Sequence, residues 1–201
     1  MTSFDAEWAG LKQGTAADPQ MRLASAAPDG GGGGGADTGE VRAGAKDYLD
    51  HIKPPPPKDE KSHTTIIGHS YGSTVLGAAS NAGDLRADDM IAVGSPGMLV
   101  EHAKDLDTGE GHVWSQAAST LDDQVPLGGK VAGLGGPTDW WEEMSPFGTV
   151  WGSNVPSDED FGANIMTNDA DSHTDYWRDH SLSIENQANV VAGRYDKVQR
   201  G

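Results

Sequence analysis

The stretch TTIIGHSYGSTVLGAAS, Thr64 to Ser80, decides how this chain reads. A β-branched run stops at Gly68, a serine then stands between two glycines, and small and apolar residues follow. The first part reads as a buried strand, His63–Ile67, and the last as a helix from about Tyr71 to Asn81. A sharp strand–turn–helix lifts a side chain clear of the strand end. It also strains that residue's backbone and crowds the positions two before and two after it. Glycine at both positions relieves the crowding, and G-x-S-x-G results; Gly68, Ser70 and Gly72 fit it. The helix start supplies backbone donors and a positive dipole end, which makes the Tyr71 N–H the expected oxyanion donor. The plainer reading of Ser70 is a helix cap; the strand before it and the small-residue helix after it favour an exposed nucleophile.

Composition narrows the classes. The chain has 201 residues, 35% of them hydrophobic and 28 of them glycine, which suits one domain with much loop. Its net charge is −17, from 31 acidic against 14 basic residues. Phosphate binding needs clustered Lys and Arg, so the charge balance argues against a nucleic-acid partner and disfavours an anionic membrane surface. There are no cysteines, which removes thiol catalysis, disulfides and thiolate metal sites. The start, MTSFDAEWAG, lacks the basic and apolar pattern of a signal peptide, and no apolar run approaches the roughly 18 residues of a membrane span. The expectation is a soluble cytoplasmic protein.

Residues 1–37 read as a low-complexity, flexible segment containing six consecutive glycines, Gly30 to Gly35. Residues 38–201 read as the domain. Val41, Ala45, Tyr48, Leu49 and Ile52 recur at helical spacing, and KPPPPK ends that helix. After the first strand and helix, Met90–Val93 reads as a second buried strand closed by Gly-Ser-Pro-Gly, and GHVWSQAAS as a third. LGGKVAGLGGPTDWWEEMSPFG reads as loop, with Trp140, Trp141, Phe147 and the later Trp151 as anchors onto the sheet or, less simply, an acyl-pocket lining. SLSIENQANVVAGRY reads as a last helix stopped near Gly193. Strand, helix, strand in succession implies a mostly parallel sheet flanked by helices.

An elbow serine needs a base, and the base needs an orienting carboxylate, in the chain order Ser, Asp or Glu, His. His102 and His112 precede the third strand and come too early. His173 stands in a polar loop ahead of the last helix, and His180 reads as a surface residue at the helix start. The loop after the third strand, TLDDQVP, offers Asp122 and Asp123. Asp169, Asp171, His173 and Asp175 alternate in NDADSHTDYW, yet a calcium loop wants a glycine at its sixth position and a late Glu, and zinc favours His pairs or Cys. They read as an acidic solvated loop; no metal and no cofactor is expected.

Five motifs in order resemble the bacterial α/β-hydrolase family catalogued as a domain of unknown function, DUF1023. That family carries GHSYGS, GSPG, a D-P-[IV] loop, FGA and GHSDYF. Here GHSYGS spans Gly68–Ser73, GSPG Gly94–Gly97, FGA Phe161–Ala163 and SHTDYW Ser172–Trp177, so the resemblance covers roughly Thr64 to Gly193. It implies an α/β-hydrolase-like fold with Ser70 as nucleophile and His173 as base. The D-P-[IV] register falls on DQV and favours Asp123 over Asp122, although Gln124 replaces the usual proline, and Ser172 and Thr174 replace the residues flanking the histidine. SFDAEW resembles a worn form of a GYDAP-like segment that the family carries well upstream. The early strands that supply a second oxyanion donor have no counterpart in this reading.

These readings converge on a serine hydrolase cleaving a small-molecule ester or other acyl substrate through an acyl-enzyme, or an acyltransferase using the same residues. The alternative is a truncated, non-catalytic remnant or binding module of the same fold.

Overall fold

A computed structural model of the chain describes residues 20–24, 63–83, 85, 87–132, 134–135, 144–145, 148–149 and 154–201. Strands β1 (Gln20–Ala24), β2 (Thr64–His69), β3 (Asp89–Val93), β4 (Val113–Gln116) and β7 (Asn164–Ile165) form one sheet in the order β1-β2-β3-β4-β7, every pair parallel. Helices α1 (Tyr71–Ala82), α2 (Val125–Ala132) and α3 (Leu182–Val191) lie between and after them, with a small antiparallel pair, β5 (Met144–Ser145) and β6 (Gly148–Thr149). The expected parallel sheet flanked by helices is present.

The β-branched runs have a simple cause: the central strands are covered on both faces. Successive side chains point to opposite sides. Ile66, Met90 and Ala92 therefore pack with Val75, Leu76 and Ala79 of α1, while Ile67, Ile91 and Val93 pack with Tyr176 and with Val190 and Val191 of α3. Small residues let α1 sit close to its neighbours. A Cβ at Gly77 would lie 1.9 Å from the Met98 carbonyl oxygen.

Two elements were not anticipated. β1 lies inside the segment read as flexible, so one strand does precede the elbow strand, in register Gln20↔Thr64 to Ala24↔Gly68. α2 runs through residues whose glycines predicted loop; its proline, Pro126, is the second residue, where the missing N–H has no helical partner to lose. The helix expected over Val41–Ile52, the glycine run and the four aromatic anchors lie outside the described residues.

The amino-terminal ends of the strands are fastened by one buried carboxylate. Asp89 accepts from Trp114 Nε1–H at 2.8 Å and Tyr195 O–H at 2.7 Å. His112 Nδ1 lies 3.0 Å away and His63 Nε2 2.8 Å away. Burial alone would raise this carboxyl's pKa, but its four partners outweigh that and hold it below the usual range.

Candidate active site

The opposite ends of the strands carry the residues singled out above. Ser70 follows β2 directly and sits at φ 53°, ψ −132°, a backbone that side-chain-bearing residues rarely adopt. Neighbouring bonds hold it there. Its N–H donates to the Val93 carbonyl at 2.9 Å, and its own carbonyl accepts from the Ser73 N–H at 3.0 Å and the Ser73 hydroxyl at 2.6 Å. Gly68 is required by the same turn, since a Cβ there would lie 2.7 Å from both Ser73 Cα and Leu76 Cδ1. Gly72 is buried in the first turn of α1, and Tyr71 is the first residue of that helix.

The two candidate acids separate cleanly. Asp122 is exposed and accepts from the Ser119 hydroxyl. Asp123 is buried, and its Oδ2 lies 2.9 Å from His173 Nδ1. Oδ2 also accepts from the Tyr176 hydroxyl at 2.7 Å, and Oδ1 accepts from the Val125 N–H at 2.9 Å. Burial pushes the Asp123 carboxyl up; the bonds from His173, Tyr176 and Val125 together push it further down, so it stays ionised. An ionised acceptor at Nδ1 fixes that nitrogen as the protonated one and leaves His173 Nε2 free to accept a proton. His180 is exposed, immediately before the Ser181 cap of α3.

Three further residues hold this arrangement, and the sequence reading assigned none of them a role. Gly94, after β3, has φ 53°, and a Cβ on it would lie 2.9 Å from both Asp123 Oδ2 and His173 Nδ1. Asp123 and His173 meet across the end of β3 because nothing projects from Gly94 there. Tyr176 donates to Asp123 while its oxygen accepts from the Ala118 N–H at 2.8 Å; burial first, and the adjacent carboxylate second, push its hydroxyl pKa well up. His69 Nε2–H donates to the His173 carbonyl at 2.8 Å, and the two rings lie 4.6 Å apart. Burial lowers the His69 pKa more than its bond to that carbonyl raises it, so the ring is neutral at pH 7. Both His69 and Tyr176 stand inside quoted motifs, GHSYGS and SHTDYW, but no spacing rule ties a tyrosine to an aspartate 53 residues earlier.

Ser70, Tyr71, Asp123 and His173 line one open cleft of about 550 Å³, walled by Pro96, Val125 and Leu134. Among the described residues, the Ser70 hydroxyl and the His173 ring share this wall rather than a hydrogen bond, a separation common in ligand-free sites. The acidic loop beside it is tied together by one arginine. Arg178 reaches Asp169, Asp171 and Asp175 at 3.1, 3.4 and 2.6 Å. No group of three or more His, Asp or Glu among the described residues is arranged to hold a metal ion, and none of their helices is long and apolar enough to cross a membrane.

Comparison with known proteins gives a family model described as alpha/beta hydrolase, which matches residues 23–132, more than half of the chain. Uncharacterized proteins of Mycobacterium tuberculosis, strains CDC 1551 / Oshkosh and ATCC 25618 / H37Rv, are each 27% identical over 150 residues, 68% of this chain. That match spans only 22% of their own length. No solved structure matches the chain.

Proposed function

The chain belongs to the alpha/beta hydrolase family, and from that premise we propose that it is a serine hydrolase cleaving an ester or another acyl compound. The observation that carries the reading is the buried Asp123 bonded to the half-buried His173, the two lining the same cleft as the strained Ser70. The ordered GHSYGS, GSPG, FGA and SHTDYW motifs support the narrower affinity with the DUF1023 group.

In this scheme His173 Nε2 takes the Ser70 proton as Oγ attacks the substrate carbonyl carbon. The carbonyl electron pair moves onto oxygen, where the Tyr71 N–H at the start of α1 stabilises it. The intermediate collapses, the bond to the leaving alcohol breaks, and the His173 proton goes to that alcohol. Water, deprotonated by His173, attacks the acyl-serine. The acid departs and the proton returns to Ser70. Asp123 stabilises the imidazolium in both halves. The Ala24↔Gly68 register sets the last residue of β1 beside the elbow strand, the side from which a second oxyanion donor comes in this fold. Transfer to an acceptor other than water uses the same residues.

The test is intact mass after exposure to a fluorophosphonate, with Ser70→Ala and heat-denatured protein as controls. Labelling of the folded parent alone is expected. A well-folded parent that takes no label overturns the proposal and favours a binding module of the same fold.

A further inference from the structure

We propose that the cleft takes an uncharged acyl chain laid along Pro96, Val125 and Leu134, and that the missing side chain at Gly128 sets the bulk it admits; this rests on the serine-hydrolase reading above. The described wall offers carbon, not cations. Among the described lining residues there is no Lys or Arg, and the ionised groups are the carboxylates of Asp122, exposed at the rim, and Asp123. Lys130, two residues along α2 from Gly128, is not among the described lining residues and is ion-paired with Asp158 at 2.6 Å. An anionic acyl chain would therefore lose water, meet a like charge and gain no Lys or Arg counter-ion among the described lining residues, in a chain of net charge −17.

The two glycines of α2 differ in kind. A Cβ at Gly129 would lie 1.7 Å from the Pro96 carbonyl oxygen, so packing requires that glycine. A Cβ at Gly128 would meet nothing within 4 Å, and its backbone is not in the left-handed region. Alanine would serve the helix better there. Gly128 nevertheless lines the cleft. A position that gives up helix stability without any packing demand, and that lines the same cleft as Ser70, has the character of reserved space.

The experiment uses the full chain and the second-order labelling rate with three alkylfluorophosphonates: short, long, and long with a terminal carboxylate. The alkyl group stands where the acyl chain would lie. The parent is expected to react with the long neutral reagent about tenfold faster than with its carboxylate analogue. Gly128→Leu is expected to slow the long reagent about tenfold relative to the short one. Gly128→Ala should fall between, and should melt no lower than the parent. Faster reaction with the carboxylate reagent overturns the charge assignment. Equal slowing of short and long reagents in both variants, with the parent's melting temperature, overturns the role of Gly128. No labelling of the folded parent by any reagent removes the serine-hydrolase reading itself, and this inference with it.

Discussion

Tyr176→Phe deletes a single oxygen and keeps the ring. That oxygen donates to Asp123 Oδ2 at 2.7 Å and accepts from the Ala118 N–H at 2.8 Å, and the residue is fully buried, so water cannot replace it. Losing a bond to an ionised acceptor costs about 1.5–3 kcal/mol, and orphaning a buried N–H adds about 1 kcal/mol or more. Allowing for local relaxation, the expected loss of stability at pH 7 is about 2–4 kcal/mol. Its pH dependence identifies the cause. In the parent, burial raises the Asp123 carboxyl but the bonds from His173, Tyr176 and Val125 win, leaving it below its ordinary value. A carboxyl so depressed contributes stability that is fully present above the unfolded-state pKa, near 3.9, and is lost as pH falls through the folded-state value. The variant lacks one of the lowering bonds, so its Asp123 protonates at a higher pH. The charge-dependent share of the penalty must then shrink in acid, while the share due to the Ala118 N–H persists. Urea unfolding followed by tryptophan fluorescence from pH 7 down to pH 3 measures both. A loss under about 0.5 kcal/mol at pH 7, or a loss equal at every pH, refutes the reasoning.

Asp123→Asn should lower the fluorophosphonate labelling rate by about 10³–10⁴-fold, because the amide presents the wrong partner to His173; a comparable loss in Asp122→Asn would mean that the exposed carboxylate is the working acid. Gly94→Ala places a methyl 2.9 Å from Asp123 Oδ2 and His173 Nδ1 at a residue with φ 53°. It should cost about 1–2 kcal/mol in the backbone alone and slow labelling; unchanged melting and labelling would show that the pair does not depend on the bare strand end. Asp89→Asn removes the charge that gathers His63, Tyr195, Trp114 and His112, and should destabilise by about 2–4 kcal/mol at pH 7. Asp89 is also a depressed carboxyl, so this penalty fades as pH falls through its folded-state value, while labelling per folded molecule at pH 7 stays as in the parent.

The elements legible in the sequence are those whose pattern the whole sheet enforces. β2, α1, β3, β4 and α3 carry runs that only a doubly covered parallel sheet demands. β1 hid because its alternation, Met21 and Leu23 between Gln20, Arg22 and Ala24, is short, and its strand state comes from pairing with β2 rather than from its own residues. α2 hid because Val-Pro-Leu-Gly-Gly reads as loop by propensity; its second glycine answers a contact with Pro96, far away in sequence. In the site, Ser70 was legible because a strained turn constrains its immediate neighbours. Asp123 was separable from Asp122 only by resemblance, since adjacent residues in a loop differ in direction, not in spacing. Tyr176, His69 and Gly94 act through contacts across the fold, and local sequence carries no trace of those.

The Asp89 cluster bears on how the chain is made as well as how it stands. Its four partners arrive from three places: His63 before β2, His112 and Trp114 at β4, and Tyr195 beyond α3, 106 residues downstream of Asp89. The chain stays in use after that, since Arg200 bridges to Met166 and the Gly201 N–H donates to Ile165 at 3.1 Å. During synthesis, β2, β3 and β4 emerge long before Tyr195 does, with Asp89 lacking that partner and one sheet face uncovered by α3. Closure at the amino-terminal ends of the strands is therefore a late, long-range event, and a ribosome paused upstream of Tyr195 holds an open sheet for chaperones to shield.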